Sequence, residues 1–488
     1  MSPSAPRGLS FTIGGLSPRG ERPRSAEAQY HVLVVADCSG RAARGVCQPL
    51  AGRAASALDV DRLELIMRGW GARLPTPLVA ASGEAFWLEP RSLDDLHPDQ
   101  LLVSAVPLAE LFELRGKLER DVDARARLAA LLERVEPAAP APSAERAPEP
   151  ASGESTEDTL SRLLGGSRPP QRGASETASA PAVTAGGVDL SRLIRTIVGN
   201  AATQREAAAP SPALASAADA EIGARLRALL SSPALRALEA TWRGIDALCR
   251  NNPDEGRVRM SVLDASFEEL ERGHGALPAL LERTGADVLL VDREVDASGA
   301  ELRTLARLLE ACAGRGVTLV AGARPHLAGC ADFAERESPE EQPVPLPDDA
   351  RAAWGELAAL RAGGARLALA LPRYLLRQPY GASGEPLDRL AFEEILDPAC
   401  HEAFCWGNGA YLVARALCLT AADPGCIHPD GGVDVRELPV VHLEGDDGGR
   451  IKPCAEAWLS ERAFGRLRGA GFSVLYGWRD TDRVRVFV

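Results

Sequence analysis

Apolar positions along the chain fall into two patterns. His31-Val32-Leu33-Val34-Val35-Ala36 and Asp287-Val288-Leu289-Leu290-Val291-Asp292 are short, continuous apolar runs, the mark of strands buried on both faces. Arg257 to Leu263 and Val317-Thr318-Leu319-Val320 predict two more strands. Elsewhere the spacing is helical. Leu235, Leu238, Trp242, Ile245 and Leu248 follow Ser232-Pro233, a capping hydroxyl before a proline at the first helical position. Val60, Leu63, Met67 and Trp70 predict a helix capped by Asp59, and Leu108, Leu111, Phe112, Arg115, Leu118 and Val122 predict one long helix from Pro107 to about Val135. Ser266-Phe267-Glu268-Glu269 and Ser298-Gly299-Ala300-Glu301 have capping-box spacing, the second opening a helix through Leu302, Leu305, Leu309 and Cys312. Strand, helix and strand at this spacing favour a right-handed parallel crossover, so the fold class is α/β.

Between Glu113 and Thr241 there is no Phe, Tyr or Trp, and from Glu136 to Val188 the chain is mostly Ala, Pro, Ser, Glu and Gly. Such a stretch buries too little apolar surface to offset its ordering entropy. The expected organisation is two α/β bodies joined by a long disordered Ala/Pro/Ser-rich linker. Residues 8–135 form the first body, 136–188 the linker, 189–218 a short helix with further linker, and 219–488 the second body.

Composition narrows the function. The 488 residues carry 55 Lys+Arg against 68 Asp+Glu, a net charge of −13, which argues against a nucleic-acid partner because counterion release needs clustered cations. The start of the chain lacks the apolar core of a signal peptide, and every apolar stretch is interrupted well short of the roughly 18 residues that span a bilayer. The ten Cys are therefore expected as reduced thiols in a cytoplasmic protein that is not inserted in a membrane.

Catalytic and metal chemistry finds little support. Leu289-Leu290-Val291-Asp292 has the form of a magnesium-binding strand end, yet no Gly-x-x-x-x-Gly-Lys-Ser/Thr motif accompanies it, and neither Lys117 nor Lys452 follows a Gly-rich loop. Asp292 is expected at a strand end beside a turn. Cys400, His401, Cys405, Cys418, Cys426, His428, His442 and Cys454 are a dense set of soft ligands, but they lack the repeated Cys-x-x-Cys knuckles of zinc sites. Packing as small hydrophobes is the favoured reading, with a metal site or an enzyme built on residues 400–454 as the alternative. No cofactor is predicted.

Longer motifs carry a family resemblance. Leu238-Glu239-Ala240-Thr241-Trp242-Arg243-Gly244-Ile245 resembles a signature of the large sheath subunit of bacterial type VI secretion systems. Further matches follow in the same order: Leu371-Pro372-Arg373-Tyr374-Leu375-Leu376-Arg377-Gln378-Pro379-Tyr380-Gly381, Phe392-Glu393-Glu394, Trp406-Gly407-Asn408, Leu438-Pro439-Val440 and Lys452-Pro453-Cys454-Ala455-Glu456. The first part of the chain is similar, more loosely, to the small sheath subunit through residues 32–41, 58–63 and 92–99.

The resemblance implies a fused structural subunit, not an enzyme, that polymerises around an inner tube and contracts to propel it. Its partners would be other sheath subunits, the tube protein, baseplate components and an ATP-driven unfoldase. Trp242, Arg243, Gly244, Pro372, Arg373, Pro379, Tyr380, Gly381, Trp406 and Asn408 are then fold determinants, and Leu160, Leu163 and Leu164 a stripe for the unfoldase. Ser10-Phe11-Thr12-Ile13 is a candidate strand donated between subunits. Many large subunits continue past the point matching Val488. A sheath-like adaptor that does not polymerise is therefore the alternative.

Overall fold

The computed structural model describes residues 29–79, 83–133, 212–330, 333, 344–443, 450–452, 454–479 and 481–488. Ser10 to Ile13, and Leu160, Leu163 and Leu164, lie outside them.

The strands are β1 (Tyr30–Ala36), β2 (Ser56–Leu58), β3 (Leu74–Val79), β4 (Ala85–Leu88), β5 (Val258–Asp264), β6 (Val288–Val295), β7 (Thr318–Ala323), β8 (Arg366–Leu371), β9 (Tyr374–Leu375), β10 (Trp406–Gly407), β11 (Val433–Val435), β12 (Val441–Leu443), β13 (Arg450–Lys452), β14 (Ser473–Gly477) and β15 (Val484–Phe487). Among the described residues, nine of them form one sheet in the order β11-β15-β14-β8-β7-β6-β1-β5-β2. From β5 to β14 neighbouring strands run parallel, while β2, β15 and β11 add antiparallel edges.

The position of β1 corrects the expectation of two separate α/β bodies. Val32 is in register with Met260 on one side and Val288 on the other, and Val35 with Leu263 and Val291. A strand from the first part of the chain is thus the filling between two strands of the second. The driving force is plain in the side chains: Val32, Leu33 and Val34 are 0% exposed. A continuous apolar run can be covered on both faces only in a sheet interior.

Alternate residues of the parallel strands serve two layers. Leu33, Val35, Leu289, Val291, Leu319, Ala321 and Leu369 pack with Leu302, Leu305, Leu309 and Leu357 of helices Gly299–Ala313 and Asp348–Ala362. Helix Ala410–Ala422 packs on β6, β7 and β8 and against helix Pro233–Arg250.

Several local expectations are revised. The single helix from Pro107 is two, Val106–Gly116 and Val122–Glu133. The Asp121 carboxylate accepts from the N–H groups of Asp123 (2.8 Å) and Ala124 (3.2 Å) and so starts the second helix. Asp59 caps a turn, accepting from Arg62 N–H at 2.8 Å, and the helix begins only at Leu63. The capping box at Ser266 and Glu269 forms. That at Ser298 does not, because the Glu301 carboxylate turns to Asp296 N–H (3.1 Å) and Arg293 (2.5 Å).

Two compact units divide the chain: Met1–Phe112 with Ile222–Val488, and Glu113–Glu221. Within the smaller, Arg115 makes a bidentate bond to Asp219 (2.7 and 2.8 Å). No helix of the described residues is long and apolar enough to cross a membrane.

Candidate functional site: a buried polar interlock

Helix Pro233–Arg250 places Glu239 one turn before Arg243 and inside its buried face, where a lone carboxylate would be very costly. Two guanidiniums meet it: Arg243 Nε at 2.7 Å and Arg377 Nε at 2.7 Å. Arg377 also holds Glu394 (2.7 and 2.9 Å), and Glu394 accepts from Tyr380 N–H at 2.9 Å. The Arg243 guanidinium donates to the Tyr380 hydroxyl at 3.0 Å. Burial pushes the Glu239 carboxyl up, but the charges and hydrogen bonds of Arg377 and Arg243 outweigh it and leave the group at about 2. Both Glu239 and Arg377 are therefore ionised at neutral pH.

A second knot lies at the end of β8. Glu456 accepts from Arg373 N–H and Nε (each 3.0 Å) and pairs with His401 Nε2 at 3.0 Å. Arg373 reaches Glu402 as well, at 2.7 Å. Burial raises Glu456, and the His401 hydrogen bond with the Arg373 charge more than offsets this, giving about 2. Trp406 stacks on the His401 ring at 4.8 Å and donates its indole N–H to the His401 carbonyl.

His401, Glu402 and Glu456 are the described residues whose ligand atoms come close enough to hold a metal, within 4.8 Å of one another. Their chemistry fits a guanidinium better, since Arg373 already bonds both carboxylates and a divalent ion would have to displace it. The soft ligands do not converge. Cys405, Cys418 and Cys454 are buried and Cys400 is exposed. His428 pairs instead with Asp430 and Arg485.

A third knot corrects the placement of Asp292. It lies inside β6, at a bulge where the register against β7 shifts between Val291 and Glu294. Its carboxylate accepts from the Thr241 hydroxyl (2.7 Å), the Asn408 amide (3.0 Å) and the Tyr411 hydroxyl (2.9 Å). Burial raises its pKa, with those hydrogen bonds opposing. Beside it, Trp242 is 0% exposed and donates its indole N–H to Cys38 O at 2.8 Å. Gly244 faces the Tyr411 ring, and a Cβ there would stand 2.7 Å from it. Pro372 follows β8, and Pro379 and Gly381 bracket a turn in which Glu385 N–H donates to Pro379 O and Gly381 N–H to Glu385 O.

The loop after β1 is bound by a fourth set of charges. Glu269 accepts from Arg41 (2.8 and 2.9 Å), from Arg53 (2.7 and 3.0 Å) and from Gln48 N–H. Asp264, ending β5, accepts from Cys38 and Ser39 N–H and the Ser39 hydroxyl.

These buried polar groups interlock and fix neighbouring elements to one another. A family model described as EvpB/VC_A0108, tail sheath N-terminal domain, matches residues 213–279 and 284–488, more than half of the chain. The chain belongs to this tail sheath family. It is 26% identical over 292 residues to the "Type VI secretion system sheath protein TssC1" of Pseudomonas aeruginosa, a match that covers 54% of this chain and 58% of that protein. The sheath-family region begins at 213, so β5 and β6 lie within it and β1 does not.

Of the residues singled out in sequence, Arg243 and Tyr380 meet directly, as do Arg373 and Trp406, whose ring lies 5.8 Å from the guanidinium carbon. Trp242 and Asn408 reach other partners. The acids Glu239, Glu394 and Glu456, which hold the knots together, were not singled out although each lies within a quoted motif. One signal was legible: Glu239 falls on the same helical face as Leu235 and Trp242, a charge on an apolar stripe.

Proposed function

We propose that this chain is a structural subunit of a type VI secretion contractile sheath in which the small-subunit element is carried in cis. The supporting observation is the slot filled by β1. The sheath-family region supplies β5 and β6 with a one-strand gap between them, and residues outside that region supply the strand. In a sheath protein that starts where the family match starts, that strand must come from a second chain. Residues 8–135 then act as the small-subunit part, 219–488 as the large, and 136–218 as the tether between them. The polar knots serve packing: each carboxylate faces a fixed donor, which orients backbone and moves no proton. Other sheath subunits, an inner tube protein and baseplate components are the proposed partners, with Leu160, Leu163 and Leu164 offered to an unfoldase.

Cutting the gene between residues 134 and 211 and co-expressing the halves tests the slot. The halves are expected to co-purify one to one, and the second half alone to aggregate. Independent, soluble, non-associating halves would overturn the reading. Regular tubules seen by negative-stain microscopy when the full chain is expressed with its tube protein would support assembly, and monomers or dimers alone would point to the adaptor.

A further inference from the structure

At the amino ends of β7, β8 and β14, three arginines converge on a small cavity of about 90 Å³, with Thr318 and Ser473 on its wall and Phe472 behind it. Arg361 and Arg468 come from the last turns of helices Asp348–Ala362 and Glu461–Gly469, and Arg366 begins β8. Cations in last turns complement the helix dipole. That explains two arginines near carbonyls, but not their convergence with a third.

The lining holds three cations and no Asp or Glu side chain, with Val488 beside them. Among the described residues none of the three pairs with a carboxylate, whereas Arg41, Arg53, Arg243, Arg373 and Arg377 each do. A guanidinium has five N–H donors. Arg361 gives one to Gly471 O at 2.9 Å and Arg366 gives one to Gly316 O. Arg468 donates to no protein atom among the described residues and lies over Phe487, its guanidinium carbon 5.9 Å from the ring centroid. Burial lowers the pKa of Arg361, and the Arg468 charge lowers it further. Like charges drawn together and half-buried are destabilising unless an anion completes the set. The hydroxyls of Thr318 and Ser473 make no hydrogen bond to protein among the described residues, leaving two more donors.

We propose that this cavity binds a free tetrahedral oxyanion of the size of inorganic phosphate, held by Arg361, Arg366 and Arg468 and oriented by the Thr318 and Ser473 hydroxyls. Its volume of about 90 Å³ lies well below the ~300 Å³ at which sites for drug-sized ligands start, which suits a small anion. The site stands apart from the polar knots and does not rest on the sheath reading.

The test is isothermal titration calorimetry and thermal unfolding of the full chain with sodium phosphate against sodium chloride at equal ionic strength. Saturable binding and a saturable rise in Tm are expected in phosphate alone. Arg468→Gln, which removes a repulsive charge and no protein hydrogen bond, should not lower the Tm in chloride and should weaken phosphate binding at least tenfold. Arg366→Gln is the second variant and should weaken phosphate binding likewise, with a somewhat lower Tm in chloride because its bond to Gly316 O is lost. Absence of saturable binding by the wild-type chain, or unchanged binding by both variants, overturns the proposal. So does self-association that Arg468→Gln abolishes while free phosphate fails to saturate, since a carboxylate of a second copy then fills the cavity.

Discussion

Arg377 illustrates how much one residue can hold. It is 6% exposed, bonds Glu239 and Glu394 at once, and stands 4.1 Å over the Tyr380 ring. Arg377→Met would leave two buried carboxylates with partial neutralisation, and breaking a buried pair from one side costs about 3–5 kcal/mol. The same carboxylates set the acid limb of stability. Glu239 and Glu456 stand at about 2 in the fold against an ordinary 4.5, so their contribution is complete above pH 4.5 and is lost as the pH falls toward 2. Asp292 works in the opposite sense, because its raised pKa favours the protonated form on folding. Urea unfolding between pH 7 and pH 3 should show the wild-type midpoint falling as acid is added. Arg377→Met should begin with a lower midpoint at pH 7 and fall less steeply, because Glu239 has lost its main cation. Parallel curves for the two proteins would refute this account of the acid limb.

At the scale of one element, helix Pro233–Arg250 shows that packing can reverse propensity. Gly is worth about 1 kcal/mol less than Ala in a helix interior, so Gly-to-Ala usually stabilises. Gly244 is the exception here, because the added methyl would meet the Tyr411 ring at 2.7 Å, and Tyr411 is fixed by Asp292. Gly244→Ala is expected to destabilise by about 1–3 kcal/mol, the range for overpacking. Gly465 in helix Glu461–Gly469 has open space around its Cβ position, so Gly465→Ala should stabilise by about 0.5–1 kcal/mol. Thermal unfolding of both variants should give shifts of opposite sign. The same helix marks the limit of a spacing argument: Leu235, Leu238 and Trp242 predicted its buried face, but nothing in spacing says that Glu239 on that face meets Arg377, 138 positions away.

For the whole molecule, the decisive feature is that β1 is interior to the sheet, between strands more than two hundred positions later in sequence. Amides exchange at a rate set by the smallest opening that exposes them. Those of Val32 to Val35 should therefore exchange with the same protection as those of β6 and β7, through global unfolding, when followed by native-state hydrogen exchange. Protection of β1 well below that of β6 would mean that the first part of the chain can detach while the rest stays folded.

Determined by the sequence alone were the local and periodic features: the apolar runs that become β1, β5, β6 and β7, the helix behind Ser232-Pro233, the capping box at Ser266, and the motif order that marks the sheath family. These depend on neighbours within a turn or a strand, or on motifs read in series. Tertiary structure decided what depends on distant partners. Strand order placed β1 inside the second region's sheet, because a run apolar on both faces needs cover on both. A bulge in β6 turned Asp292 toward Thr241, Asn408 and Tyr411. Glu269, read as a cap, also gathered Arg41 and Arg53, since a buried carboxylate draws whatever cations the fold brings within reach.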